Sequence, residues 1–385
     1  MKRGFLNCSD FLSATLVVAG AFIISSCSSK DIPKPVDAVV TSGITLENPA
    51  ITTESMSVSG ATGTVGFSWQ PATEDGVDPG DFDYQICISA PDPAVGTFST
   101  VSQVLAGGCI DAGSSTTLTG STTAGHAYYF NVVAISPKGD SIAYLPKGEF
   151  VDAHQLNYYP FENSLMDVIG ANDLEVLQWA DGGGPFVPGT MAADRFGSYN
   201  SAYRFSFGNN SQCLQSTYAL DSTLVGEHAR TLSFWANADY AGGTGVNSPI
   251  SVGSVEGDGG HFGIKFDSNG GPWKSWFWGI TEDSETSVNY SANKGWMHWV
   301  LTYSGGASNG DFIAYLNGVQ VDFFNSFTTV PNTDITSPLI VGCGLDNTTA
   351  PMIADHYFNG LIDDVRLFDR VLTSSEVQHL YHVGQ

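Results

Sequence analysis

Alternation of apolar and polar positions at period two, the mark of a half-buried strand, recurs along most of the chain. Residues 64–69 put Val65, Phe67 and Trp69 on one side. Residues 82–88 do the same with Phe82, Tyr84, Ile86 and Ile88, and residues 126–135 with Tyr128, Phe130, Val132 and Ala134. Further on, residues 230–236 set Leu232 and Phe234 against Thr231, Ser233 and Trp235. Residues 261–266 and 274–280 read as a hairpin joined by DSNGGPW, and strands follow at 296–303, 312–316 and 336–341. Asn317-Gly318 is the sharpest hairpin signal, because both residues accept positive φ cheaply.

The pattern ends on a strand at 361–368, preceded by an Asn359-Gly360 turn. Regular pleating puts Leu361, Asp363, Val365 and Leu367 on one side and Ile362, Asp364, Arg366 and Phe368 on the other. A strand with apolar groups on both sides is central and covered on both. A helix start follows: Thr373 caps, Glu376 bonds back to it, and Leu372 and Val377 form a hydrophobic staple.

Composition agrees with many short strands joined by turns. The chain has 385 residues, of which 44 are Gly, 12% are aromatic and 14% charged. Such a length suggests two domains. There are 14 Lys and Arg against 39 Asp and Glu, a net charge of −25. That balance argues against nucleic acid as a partner, since no basic surface can replace phosphate counterions.

The first 27 residues read as an address. Lys2 and Arg3 are a positive start, and residues 11–24 are an apolar run too short to span a bilayer comfortably. Ile24-Ser25-Ser26-Cys27 resembles the bacterial lipobox, in which the cysteine is lipidated and becomes the mature N-terminus. An ordinary signal peptide with an incidental Cys27 is the alternative. Acyl chains would hold the protein to a membrane, each buried CH₂ contributing roughly 0.8 kcal/mol. This places the protein outside the cytoplasm, anchored to a membrane, with the outer membrane or cell surface as the expected location. Residues 28–41 are a linker stiffened by Pro33 and Pro35.

Apart from Cys8 and Cys27, four cysteines remain, two in each expected domain. Cys87 with Cys109 and Cys213 with Cys343 are the natural disulfide pairs in an oxidising compartment, worth about 2–4 kcal/mol each. Four buried free thiols are the alternative.

Two resemblances organise these pieces. Residues 42–151, with Trp69 on an early strand, Tyr84 mid-domain and Tyr-x-Phe-x-Val-x-Ala before a Gly turn, resemble a fibronectin type III or similar immunoglobulin-like sandwich. That domain is read as a spacer. Residues 154–385 resemble the LamG-like, concanavalin A-type jelly rolls of secreted bacterial proteins. The matching stretches, in order, are YYPFENSLMDVIGAND, FGSYNSAYRFSFGNNSQCLQ, RTLSFWAN, GWMHWVLTYSG with FIAYLNGVQV, and FNGLIDDVRLF with LTSSEVQHLY. The expected fold is therefore all-β: an immunoglobulin-like sandwich followed by a concanavalin A-like jelly roll.

Such a jelly roll can carry a glycoside hydrolase, which needs two facing carboxylates. The alternating Glu-x-Asp-x-Glu that retaining enzymes of this fold place on one strand is not found. Glu256 and Asp258 are followed by glycines, residues 282–285 read as a loop, and Asp363 and Asp364, being adjacent, point to opposite faces of a regular strand. His298 reads as a packed, hydrogen-bonded histidine rather than a base. No Gly-x-Ser-x-Gly nucleophile appears.

The resemblance also implies one structural Ca²⁺ at a sheet edge, with Asp167 and Asp364 as candidate ligands. For Asp364 the alternative is a buried ion pair with Arg366 or Arg204. The sugar-binding case rests on Trp273, Trp276 and Trp278, crowded into one hairpin, with Trp273 placed in its connecting turn. Flat rings cover the apolar faces of sugars, and Asp267 and Asn269 would bond the hydroxyls. Core packing of Trp276 and Trp278 is the alternative, while Trp235 and Trp299 read as core. The expected function is a surface-tethered, non-catalytic module binding a glycan or extracellular polymer. Adhesion to a surface protein is a second reading and glycoside hydrolysis a third.

Overall fold

The alternating segments are antiparallel strands in the computed structural model, which describes residues 44–46, 64–93, 106–144, 147–177, 188–206, 212–239, 246–253, 261–267, 273–277, 284–290, 295–306, 311–324, 333, 336–347 and 353–383. The expected signal at 1–27, its Cys27 and the linker at 28–41 lie outside the described residues.

The first strands are β1 (Ile44–Leu46), β2 (Thr64–Ser68), β3 (Ala72–Glu74), β4 (Asp83–Ile88), β5 (Gly108–Gly113), β6 (Thr117–Ser121), β7 (His126–Ile135), β8 (Ser141–Ala143) and β9 (Lys147–Val151). One sheet runs β5-β4-β7-β8 with β9 also on β7, and β1–β3 and β2–β6 form two further pairs. The sides read as apolar are the buried ones: Val65, Trp69, Phe82, Tyr84, Ile86, Tyr128, Phe130, Val132 and Ala134 form one core. Trp69 meets Tyr84 edge-on at 5.5 Å, a geometry that aligns ring edge with ring face. Cys87 and Cys109 are register partners on β4 and β5 and are joined as a disulfide.

The second set is β10 (Gln155–Tyr159), β11 (Leu174–Val176), β12 (Thr190–Ala192), β13 (Ala202–Phe205), β14 (Leu214–Ser216), β15 (Arg230–Ala238), β16 (Val246–Val252), β17 (Phe262–Asp267), β18 (Trp273–Phe277), β19 (Ser284–Tyr290), β20 (Met297–Tyr303), β21 (Phe312–Leu316), β22 (Val319–Phe324), β23 (Leu339–Val341), β24 (Gly344–Asn347), β25 (Ile353–Asp355) and β26 (Gly360–Phe368), closed by helix α1 (Ser374–Val383). Eight strands make the larger sheet, β12-β13-β26-β15-β20-β21-β22 with β10 also on β26, and seven make the other, β11-β14-β23-β16-β17-β18-β19. Between them lies the main core, in which Phe205, Leu232, Phe234, Trp299, Ile362 and Leu367 of the first sheet meet Leu214, Ile250, Ile264 and Val341 of the second. Cys213 and Cys343 are bonded and flank the paired strands β14 and β23. Asn317 and Gly318, at φ 50° and 77°, turn β21 into β22 as the sequence implied.

Strand β26 is central, between β13 and β15, but its two faces differ from the regular-pleat expectation. Ser233 pairs with Arg366 while Trp235 pairs with Asp363, so two residues of β26 oppose one of β15. The extra residue is Asp364, at φ 49°, a conformation that Asp tolerates better than most side chains. Past this bulge the faces are reset. Ile362, Val365 and Leu367 face the core together, while Asp363, Asp364 and Arg366 share the other side.

That outer side is covered by α1. The helix is capped as read: Thr373 N donates to Glu376 Oε2 at 2.7 Å, and Glu376 N to Thr373 Oγ1 at 3.3 Å. Leu372, Val377 and Leu380 pack with Val300, Tyr315 and Phe368 of the large sheet and with Ala127 and Phe150 of the first domain. Residues 152–154 separate β9 from β10, and Ala38–Gln385 forms one compact unit. The first set of strands is thus packed on the second.

Candidate functional site

The hairpin read as a sugar site exists. Asp267 closes β17 and pairs with Lys274 of β18. Trp273 is not in the connecting turn; it is the first residue of β18 and pairs with Tyr290 of β19. Trp276 is the register partner of Lys265 on one side and Glu285 on the other. Asp267, Trp273 and Trp276 therefore share adjacent strands near one edge of the seven-stranded sheet. Asn269 and Trp278 lie outside the described residues.

The two candidate calcium ligands flank Tyr158 of β10. Asp167 is buried and organises its own loop. Its Oδ1 accepts from the backbone N–H of Tyr158 (2.9 Å), Ile169 (3.1 Å) and Gly170 (2.9 Å), and its Oδ2 from Asn157 Nδ2 (2.6 Å) and Asn172 N (3.3 Å). Gly170 is required there, because a Cβ would come within 2.3 Å of the Leu156 carbonyl. Asp364 accepts from Tyr158 Oη at 2.5 Å and from Arg195 Nη2 at 2.5 Å. Each oxygen of both carboxylates accepts from at least one N–H or O–H donor. A hard cation binding here would have to displace these donors to gather its six to eight oxygen ligands. Among the described residues no group of three or more His, Cys, Asp or Glu stands together to hold a metal.

Of the two ion-pair partners considered for Asp364 from sequence, Arg366 is one and Arg204 is not, and a third, closer partner is present. Arg204 pairs with Asp239 instead, and Arg366 reaches Asp364 only at 3.9 Å. The closer partner is Arg195, in the loop between β12 and β13, whose Nη1 also donates to Asp363 Oδ2 at 2.6 Å. The adjacent aspartates, expected on opposite faces, are turned by the bulge onto one guanidinium. Both are shielded, with side-chain exposures of 4% and 15%. A sequence clue did exist: in a chain with only 14 Lys and Arg, each cation in an acidic loop is a scarce counter-ion.

Further buried groups line this face. Arg366 is bonded to Glu149 of β9, tying the large sheet to the first domain, and its guanidinium lies 3.8 Å from the centre of the Tyr158 ring. Arg195 lies 4.6 Å from the Trp235 ring. Tyr381 of α1 stacks on Trp235 at 5.6 Å and on His298 at 5.9 Å. His298 Nε2 meets Ser233 Oγ at 2.8 Å, and its Nδ1 is buried without a partner.

These surroundings set the charge states. Burial, then the neighbouring Asp364 charge, pushes the Asp363 carboxyl well above the usual carboxylate range, against the pull of Arg195. Burial also pushes on Asp364, but Arg195 and Arg366 outweigh it and hold that carboxyl below its ordinary value. Burial, reinforced by Arg195, lowers His298 to about 3. The imidazole is therefore neutral at pH 7, as a packed histidine should be. This cluster is a closed ionic joint. Its two aspartates, Asp363 and Asp364, are both bonded to the one Arg195 guanidinium.

The sequence of residues 210–378 matches the family model for the concanavalin A-like lectin/glucanases superfamily, described as Laminin_G_3. That segment is similar to a concanavalin A-like lectin/glucanase domain, in agreement with the two facing sheets. No curated protein sequence matches the chain. Among solved structures, the chain is similar to domain 4 of AbnA, a GH43 extracellular arabinanase from Geobacillus stearothermophilus in complex with arabinotriose. The identity is 19% and the TM-score 0.41, over 59% of this chain and 98% of that one. It is also similar to the binding domain of botulinum neurotoxin DC in complex with rat synaptotagmin II, at 13% identity and a TM-score of 0.42, over 60% of this chain and 52% of that one. Likenesses this low carry no argument about this chain.

Proposed function

We propose that the protein is a surface-tethered, non-catalytic binding module of bacterial lipoprotein type that recognises a glycan or extracellular polymer. The observation that carries this reading is the two-sheet lectin-like sandwich matched at 210–378, with aromatic and acidic residues Trp273, Trp276 and Asp267 gathered on neighbouring strands. The non-catalytic part of the reading draws on the aspartate pair on β26, both members of which are bonded to Arg195. Cys27 is read as the lipidation site, and the first domain as a fibronectin-like support docked against the jelly roll.

Binding of the full-length chain to an array of oligosaccharides tests the reading, with Trp273→Ala expected to abolish the signal. Release of reducing sugar from any bound polysaccharide would replace it with a hydrolase. For the anchor, Cys27→Ala should move the protein from the detergent phase to the aqueous phase. Added Ca²⁺ leaving the melting temperature unchanged is the result expected if the donors around Asp167 and Asp364 exclude a cation.

A further inference from the structure

Residues 194–200, between β12 and β13, place two rings at the surface on a base that is fixed from below. Tyr199 is 91% exposed and Phe196 54%. Exposed single rings are ordinary, but a rigid mount for them is less so. Asp194 Oδ1 accepts from the N–H of Phe196 (2.9 Å) and of Ser198 (2.7 Å), and Gly197, at φ 84°, closes the turn. At the far end Asn200, at φ 59°, accepts from Asn163 N at 2.6 Å, which joins this loop to the one carrying Met166, itself 57% exposed. The centre is pinned by Arg195. Its guanidinium is held by both aspartates of the bulge and lies between two rings, Trp235 at 4.6 Å and Phe196 at 4.5 Å. Phe196 is thus presented at the surface on a buried, ion-paired cation.

A loop ordered in advance in this way loses little entropy on binding, which is how rigid paratopes gain affinity. A bulge that strains Asp364 and buries two carboxylates is a costly way to hold a loop that only connects strands. We propose that the 194–200 loop is a ligand-contacting site, with Tyr199 and Phe196 as stacking platforms for a neutral glycan and Arg195 as the positioning residue beneath them. Flat exposed rings suit the C–H faces of sugars, and the amides of Asn163 and Asn200 and the hydroxyl of Ser198 flank them for sugar hydroxyls. The neutral class follows from charge. Asp194 in the loop and Glu162 beside it are carboxylates not paired to Arg195, and the chain carries a net −25, so an anionic polymer would be repelled.

This rests on the glycan-binding reading above and extends it to a second surface. The test uses the full-length chain and neutral arabino-, xylo-, manno- and gluco-oligosaccharides, with acidic oligosaccharides and a purified matrix protein in parallel. Tyr199→Ala and Phe196→Ala should each weaken binding of the same neutral oligosaccharide by about tenfold, with no change in melting temperature for Tyr199→Ala, whose ring is 91% exposed, and a small drop for Phe196→Ala, whose ring also packs on Arg195. Arg195→Lys should weaken it as well, and the two surface variants keep the test decisive if that change unfolds the protein. Loss with Trp273→Ala but not with Tyr199→Ala or Phe196→Ala would overturn the loop site and leave the glycan reading standing. No binding to any oligosaccharide would overturn both. Tyr199-dependent binding to the acidic sugars alone, or to the matrix protein alone, would overturn the neutral-glycan assignment.

Discussion

The two faces of β26 are built on opposite principles. Inward, Ile362, Val365 and Leu367 join an apolar core and need only volume and shape. Outward, Asp363, Asp364 and Arg366 are nearly as deeply buried but depend on named partners on three other elements: Arg195 in a loop, Glu149 on β9 and Tyr158 on β10. Burial of an apolar side chain stabilises wherever it lands, at about 25 cal/mol per Å². Burial of a charge stabilises only while its partner stays, because desolvation costs several kcal/mol per ion. One face therefore sets how stable the fold is, and the other which pieces must come together.

Removing a partner is the sharpest way to separate the two. Arg366→Met leaves Glu149 buried without a counter-charge and should cost about 3–5 kcal/mol in denaturant unfolding. Adding Glu149→Leu should recover most of that loss, since the Met stem still packs on Tyr158. On the inner face Leu367→Ala should cost about 3 kcal/mol through the cavity it opens, and no second polar or charged change should recover it. Equal behaviour of the two faces in these cycles would remove the distinction.

Legibility in the sequence follows the same line. The inner faces could be read because period two is a local property: Tyr128, Phe130, Val132 and Ala134 are core as their spacing implied, and so are Leu232 and Phe234. Caps, hairpin turns and both disulfides were also legible, since each depends on few residues. The outer face of β26 was not. A single bulged residue, Asp364, shifts every later side chain to the other face, and neither composition nor spacing marks where a bulge falls. Arg195 could not be assigned to Asp363 and Asp364 because a partner 168 residues away in sequence is chosen by topology. The exposed rings Phe196 and Tyr199 were invisible for the converse reason: an apolar residue in a loop carries no sign of whether it packs.

His298 gives the comparison a pH axis. It faces Ser233 on β15, Tyr381 on α1 and the charged groups Arg195, Asp364 and Arg366. Its folded pKa, lowered by burial to about 3, lies below the value of 6.5 for an unperturbed imidazole. Between those two values the unfolded chain binds the extra proton. The stability that comes from keeping His298 neutral is thus complete above 6.5 and falls as pH drops toward 3. The slope is at most about 1.4 kcal/mol per pH unit. His298→Gln, which can still bond Ser233, should flatten that part of the profile when stability is measured against pH. An unchanged slope would mean that the outer face is wetter than its packing implies.

The smallest expected effect concerns the lid over the charged face. Helix α1 contributes Tyr381, stacked on Trp235 and His298, and the turn residue Gly318 approaches the same ring, a Cβ there falling 3.1 Å from it. The helix is held by its apolar side in the shared core with Ala127 and Phe150, by Arg370, which bonds both Asp152 and Glu376, and by the Thr373 cap. Thr373→Ala removes one capping acceptor and should cost about 1 kcal/mol. Because the cap lies at the far end of the helix from Tyr381, that loss should lower amide protection at 233–235 on β15 no more than at other central-strand amides. Selective exposure of those amides in hydrogen exchange would instead mean that α1 lifts as a unit, and that the outer face is covered by a movable element rather than sealed.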